Sequence, residues 1–65
     1  MTKYYNVIAK NKNGAFAKYR RVSTPYRLAD YLSRNNFLYA TYYNKSDRSK
    51  AGYWNKQDGL VLDRL

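Results

Sequence analysis

Cations and flat rings are the chemical inventory of this chain: thirteen Lys and Arg, nine Tyr, two Phe and one Trp, against four acidic residues. All four acids are Asp, and His, Cys and Glu are absent. His is the usual general base and Cys the strongest neutral-pH nucleophile, so most acid–base and covalent catalysis lacks its carrier. A structural zinc site has neither thiolate nor imidazole to draw on, and no cofactor or metal is expected. A carboxylate pair would have to come from Asp30, Asp47, Asp58 and Asp63, which fall in a helix, a loop, a turn and the tail. The surviving chemistry is metal-free phosphodiester cleavage, with Lys and Arg stabilising a phosphorane while Tyr or Lys moves protons. The spacing favours binding over catalysis, and the chain is expected not to be an enzyme.

A net charge of +9 repels itself in a compact state, and such an excess points to an anionic partner. Rings add a second tool, since each aromatic face can stack on an exposed base for roughly 1–3 kcal/mol. The first expectation is therefore a non-enzymatic nucleic-acid-binding domain. It would be largely indifferent to sequence, because no set of side chains here suggests base-edge readout. The alternative is a protein–protein module, a small phage-type inhibitor or adaptor docking on an acidic partner surface. Tyr, Trp and Arg dominate such interfaces, and a free sheet edge can add a strand to a partner.

The elements that must position these residues read as ββαβββ. Lys3 to Lys10 is rich in strand formers, Asn13-Gly14 is a tight hairpin signal, and Ala15 to Val22 is the returning strand. Ser23-Thr24-Pro25 announces a helix, with Ser or Thr as side-chain cap and Pro at the first helical position. Along it Leu28, Ala29 and Leu32 share one side with Tyr31 at the border, while Arg27, Asp30 and Arg34 lie opposite, spaced for pairing. Asn35-Asn36 ends the helix. Phe37 to Tyr43 is a third strand, Tyr53 to Lys56 a fourth, Asp58-Gly59 a second turn and Leu60 to Leu62 a fifth strand. The tail from Leu60 to Leu65 reads alternatively as a short helix. The fold class is α+β, a small antiparallel sheet with one helix on one face.

Alternation sorts the first hairpin into two faces, and pairing across either plausible Asn-Gly turn keeps the same sets whatever the register. One carries Tyr4, Asn6, Ile8 and Lys10 with Ala15, Ala17, Tyr19 and Arg21. The other carries Tyr5, Val7 and Ala9 with Phe16, Lys18, Arg20 and Val22. Covering the second set would bury two cations, whereas covering the first buries one amide able to hydrogen-bond. The helix is therefore expected over Ile8, Ala17 and Tyr19, leaving Tyr5, Phe16, Lys18 and Arg20 as an open binding surface. A second candidate is the stretch Asn44 to Gly52, a flexible basic finger carrying Lys45, Arg48 and Lys50, with Trp54 just beyond it. For the rings, packing is the competing role: Tyr5 and Phe16 as covers of the sheet, Trp54 as a core anchor.

At 65 residues the chain is one small domain, residues 1–65, burying only roughly 60% of its unfolded surface. With no disulfide or metal to help, aromatic burial or homodimerisation must supply the deficit. No apolar run is long enough to span a bilayer, and the first residues lack a secretion-signal core, so no membrane partner and a cytoplasmic location are expected.

Overall fold

A computed structural model describes residues 4–62. Five strands and one helix follow in the order β1 (Tyr5–Asn11), β2 (Phe16–Val22), α1 (Pro25–Arg34), β3 (Phe37–Asn44), β4 (Lys50–Asn55) and β5 (Gly59–Leu62). The strands form one sheet in spatial order β2-β1-β3-β4-β5, and every neighbouring pair is antiparallel. The architecture is the expected α+β arrangement. The expected strand start at Lys3 and the expected tail beyond Leu62 lie outside the described residues, and Leu60, Val61 and Leu62 are strand. Among the described residues, no helix is long and apolar enough to cross a membrane.

The first hairpin differs from the two-residue turn that its Asn-Gly pair suggests. Asn11 closes a loop of three residues, Lys12, Asn13 and Gly14: its amide donates to the Ala15 carbonyl at 3.0 Å, and its carbonyl accepts from the Gly14 amide at 3.0 Å. The Asn11 side-chain oxygen also accepts from the amides of Asn13 and Ala15 at 2.9 and 3.0 Å. Gly14 takes the left-handed conformation, φ 87°, that ends such a loop. The extra loop residue shifts the pairing by one, to Ala9 opposite Ala17, Ile8 opposite Lys18 and Lys10 opposite Phe16. A one-residue shift exchanges the partners on each face.

This register corrects the expected faces. Tyr5, Val7 and Ala9 lie on the helix side with Ala17 and Tyr19, and Ile8 lies on the open side with Lys18. Tyr5 is thus a core residue rather than part of an open surface. A bulge follows: Val7 faces Tyr19 while Tyr5 faces Val22, so Arg20 and Arg21 together oppose Asn6. That bulge returns Val22 to the helix side, where it packs against the core.

The core joins Tyr5, Val7 and Ala9 to Ala40, Tyr42, Ala51 and Trp54 of the sheet, and to Ala29 and Leu32 of α1. Small side chains at Ala9, Ala40 and Ala51 leave room for the helix to approach. Leu28, Ala29 and Leu32 point inward as the helical period predicts, and the exposed Asp30 and Arg34 carboxylate–guanidinium pair closes at 3.3 Å on the outside. The expected side-chain cap is absent: Thr24 makes no such bond, and its backbone carbonyl instead accepts from the Arg27 and Leu28 amides. Between β4 and β5 the approach is so close that a Cβ on Gly52 would run into the Val61 carbonyl and lie 2.8 Å from the Leu62 Cα.

Tyr42 is fully buried, its ring edge-on to Tyr5 and its hydroxyl donating to the Pro25 carbonyl at 3.2 Å. It ties the middle strand to the first turn of the helix. Burial pushes its phenol up to about 12. Because the folded value lies above the ordinary one near 10, the neutral phenol's contribution is complete below pH 10 and is lost as pH rises through 12. Tyr42→Phe is expected to cost about 1 kcal/mol at neutral pH by leaving the Pro25 carbonyl without its donor. It should also flatten the alkaline fall in stability, read by urea unfolding across that window. An unchanged alkaline slope would show that another group titrates.

Candidate nucleic-acid interface

Among the described residues, no second layer covers the side of the sheet away from α1. Alternate residues of the strands point there: Phe16, Lys18 and Arg20 from β2; Asn6, Ile8 and Lys10 from β1; Tyr39, Thr41 and Tyr43 from β3; Tyr53 and Asn55 from β4. Each of these retains solvent exposure, while their neighbours Val7, Ala9, Ala40, Tyr42 and Trp54 are buried. Lys18 and Arg20 therefore stand in water as expected, on the same face as Phe16 but without Tyr5. Phe16, at 61% exposure, belongs to this face, whereas Trp54, at 3%, is a core anchor beneath the helix and cannot stack on a ligand.

The loop after β3 is shorter and more ordered than the expected flexible finger. Strand pairing extends to Asn44 and resumes at Lys50, which stands opposite Tyr43. Between them, the Asn44 amide donates to the Ser49 carbonyl at 2.8 Å, and the Arg48 amide donates to the Asn44 carbonyl at 2.8 Å. Asp47 accepts from the Ser49 amide and hydroxyl at 3.0 and 2.7 Å. The Lys45 amide donates to the Tyr4 carbonyl at 3.2 Å, anchoring the loop to the start of β1. Backbone bonds of this kind turn a mobile loop into a fixed bracket for its two cations.

That bracket brings together residues far apart in the chain. Lys45 and Arg48 from the loop, and Lys18 and Arg20 from β2, surround a concavity of about 440 Å³ floored by Asn6 and Ile8. A second hollow, about 600 Å³, continues around the β2 edge past Arg20 and Arg21 to Arg27. The Tyr4 ring meets two cations, with the Arg21 guanidinium carbon and the Lys45 ammonium each 5.6 Å from its centre. Like charges held this close, with Ile8 beneath them, make a potential well for a polyanion.

Rings and charges are segregated by face. Ring–ring contacts lie on the helix side: Tyr5 with Tyr42 at 6.2 Å, Tyr19 with Tyr31 at 6.4 Å, and Tyr31 with Phe37 at 6.3 Å. Ring–cation contacts lie on the open side: Lys10 over Phe16 at 5.5 Å, Arg21 and Lys45 over Tyr4, and Lys50 over Tyr53 at 5.6 Å. Rings packed edge-on shield one another from water even where one of them, Tyr31, stays half exposed, and the open-side rings offer their negative faces to cations. The hairpin alone did not point to Tyr4, Lys10, Arg21, Tyr39, Tyr43 and Tyr53 as members of this surface. Alternation through Tyr39-Ala40-Thr41-Tyr42-Tyr43 carries the signal for two of them, once Ala40 and Tyr42 are placed inside.

Two arginines on this side adopt left-handed backbone, Arg21 with φ 59° and Arg48 with φ 62°. An L-residue there costs about 1–2 kcal/mol that glycine avoids. Arg21 is the bulge residue that reaches Tyr4, and Arg48 lines the concavity, so the strain aims positive charge at one place. Arg21→Gly and Arg48→Gly are each expected to stabilise the fold by about 0.5–1 kcal/mol, the relief being partly offset by glycine's chain entropy. Urea unfolding measures it, and lower midpoints in both variants would mean that these side chains support the fold instead. No protein-family model, curated protein or solved structure matches the chain, so the meaning of this face rests on its own chemistry.

Proposed function

We propose that the chain is a non-enzymatic nucleic-acid-binding domain, largely indifferent to sequence, that uses the helix-free face of its sheet. One observation carries this reading: Lys18, Arg20, Lys45 and Arg48, drawn from two distant segments, converge on one concavity beside rings exposed on the same surface. Phosphates are anions that recur along a polymer and can meet several cations at once, and rings are of use only if bases accompany them. Lys and Arg acting as charges on a backbone position the ligand without reading its bases, which accounts for the expected indifference to sequence.

The acidic-protein alternative predicts a different response to nuclease. Affinity purification of the tagged chain should lose its co-purifying material when nucleic acid is digested, and a protein retained afterwards would favour the docking module. In direct titrations of labelled oligonucleotides, four phosphate contacts imply that affinity falls about 50- to 150-fold between 50 and 200 mM salt. Lys18→Ala, Arg20→Ala or Lys45→Ala should each weaken binding and lower the log–log salt slope by about 0.7–0.9. No binding at the lower salt concentration, or binding that ignores salt, would overturn the reading.

A further inference from the structure

We infer that the ligand of this face is a single strand rather than a duplex, with its phosphates along the cationic concavity and its bases on a tyrosine row over β3 and β4. The inference rests on the nucleic-acid reading above and goes beyond it. Tyr39 and Tyr43 stand on the same face of β3 four residues apart, about 13 Å at strand rise. Tyr53 stands opposite Thr41, midway between them on the next strand. The three rings thus zigzag across the boundary in steps of about 7–8 Å. That is about twice the 3.4 Å rise of stacked bases, a spacing that suits a strand whose bases are splayed apart.

Duplex offers these rings a base face only if a step is unstacked, at a cost of a few kcal/mol. Its base faces are stacked on one another, and only edges are presented in the grooves. A protein enters the major groove with a helix or a two-stranded ribbon, and that groove is about 12 Å wide. Here the helix lies on the other side of the sheet, and the body carrying the rings measures 33 × 20 × 16 Å. Rings seated mid-strand on such a body do not fit that groove. On duplex only the cations would engage, through phosphates.

Lys50 strengthens the assignment. It stands opposite Tyr43 and holds its ammonium 5.6 Å from the centre of the Tyr53 ring, placing a phosphate-binding charge within the row itself. A base on Tyr53 and a phosphate on Lys50 would be neighbours in one nucleotide.

The test compares a labelled oligothymidine of about 20 nucleotides with a mixed-sequence duplex of equal length by anisotropy, at matched salt. The wild-type chain should bind the single strand tighter. Tyr39→Ala and Tyr53→Ala should each weaken single-strand binding by about 5- to 150-fold and leave duplex binding unchanged. Tyr53→Phe, which keeps the ring face, should retain single-strand affinity, and an unfolding curve for each variant confirms that it is folded. Duplex binding as tight as single-strand binding, or alanine variants that weaken both equally, would overturn the inference while leaving the parent reading intact. Failure to bind either probe would overturn both.

Discussion

One ten-residue helix has to seal one side of a five-stranded sheet, and the rest of the molecule follows from how that seal is made. A chain this short has enough residues for two layers and no more. Tyr42 closes the seal: it is the largest fully buried side chain, it meets Tyr5 edge-on, and it holds the carbonyl that opens the helix. Alanines around it keep the layers close. Everything that cannot enter this layer, above all the cations, is driven to the other side of the sheet or to the outer face of the helix.

That division explains why aromatic residues here have two unrelated roles. Under the helix they contact one another and supply the buried area that disulfides or metals supply in other domains of this size. On the open side they stay wet, and Tyr4, Phe16 and Tyr53 contact ammonium or guanidinium groups. The same residue type, Tyr, appears in both populations, at Tyr5 and Tyr42 inside and at Tyr39 and Tyr53 outside, so composition could announce an abundance of rings without assigning any of them.

Much of the architecture was nonetheless legible. The ββαβββ order, the helix bounds near Pro25 and Arg34, its inward Leu28, Ala29 and Leu32, and the strand character of Leu60 to Leu62 all follow from period, turn residues and breakers. The site was legible in part. Desolvation cost alone placed Lys18 and Arg20 in water, and Phe16 accompanied them. Tyr5 and Trp54 were misassigned to a binding surface, and the ordered bracket at Lys45 and Arg48 was read as a flexible finger. The fault at Tyr5 has its cause in the first turn. Asn11, a residue outside the Asn-Gly pair, draws a third residue into the turn with its side chain, and that one residue exchanges the faces of β1. The loop at Lys45 is ordered by a carbonyl of Tyr4, some forty positions away in the chain.

What the amino-acid sequence determined by itself was the supply of charge and rings, the order of elements, and the prohibition on burying two cations of one strand face, because these depend on local conformational preference and on transfer from water. Register, bulges and loop order were decided only in the folded state, because they depend on hydrogen bonds between residues distant in sequence. Arg21 shows the difference most sharply: nothing local asks an arginine to adopt left-handed backbone, and only the pairing of β1 with β2 around a bulge puts it there, beside Tyr4.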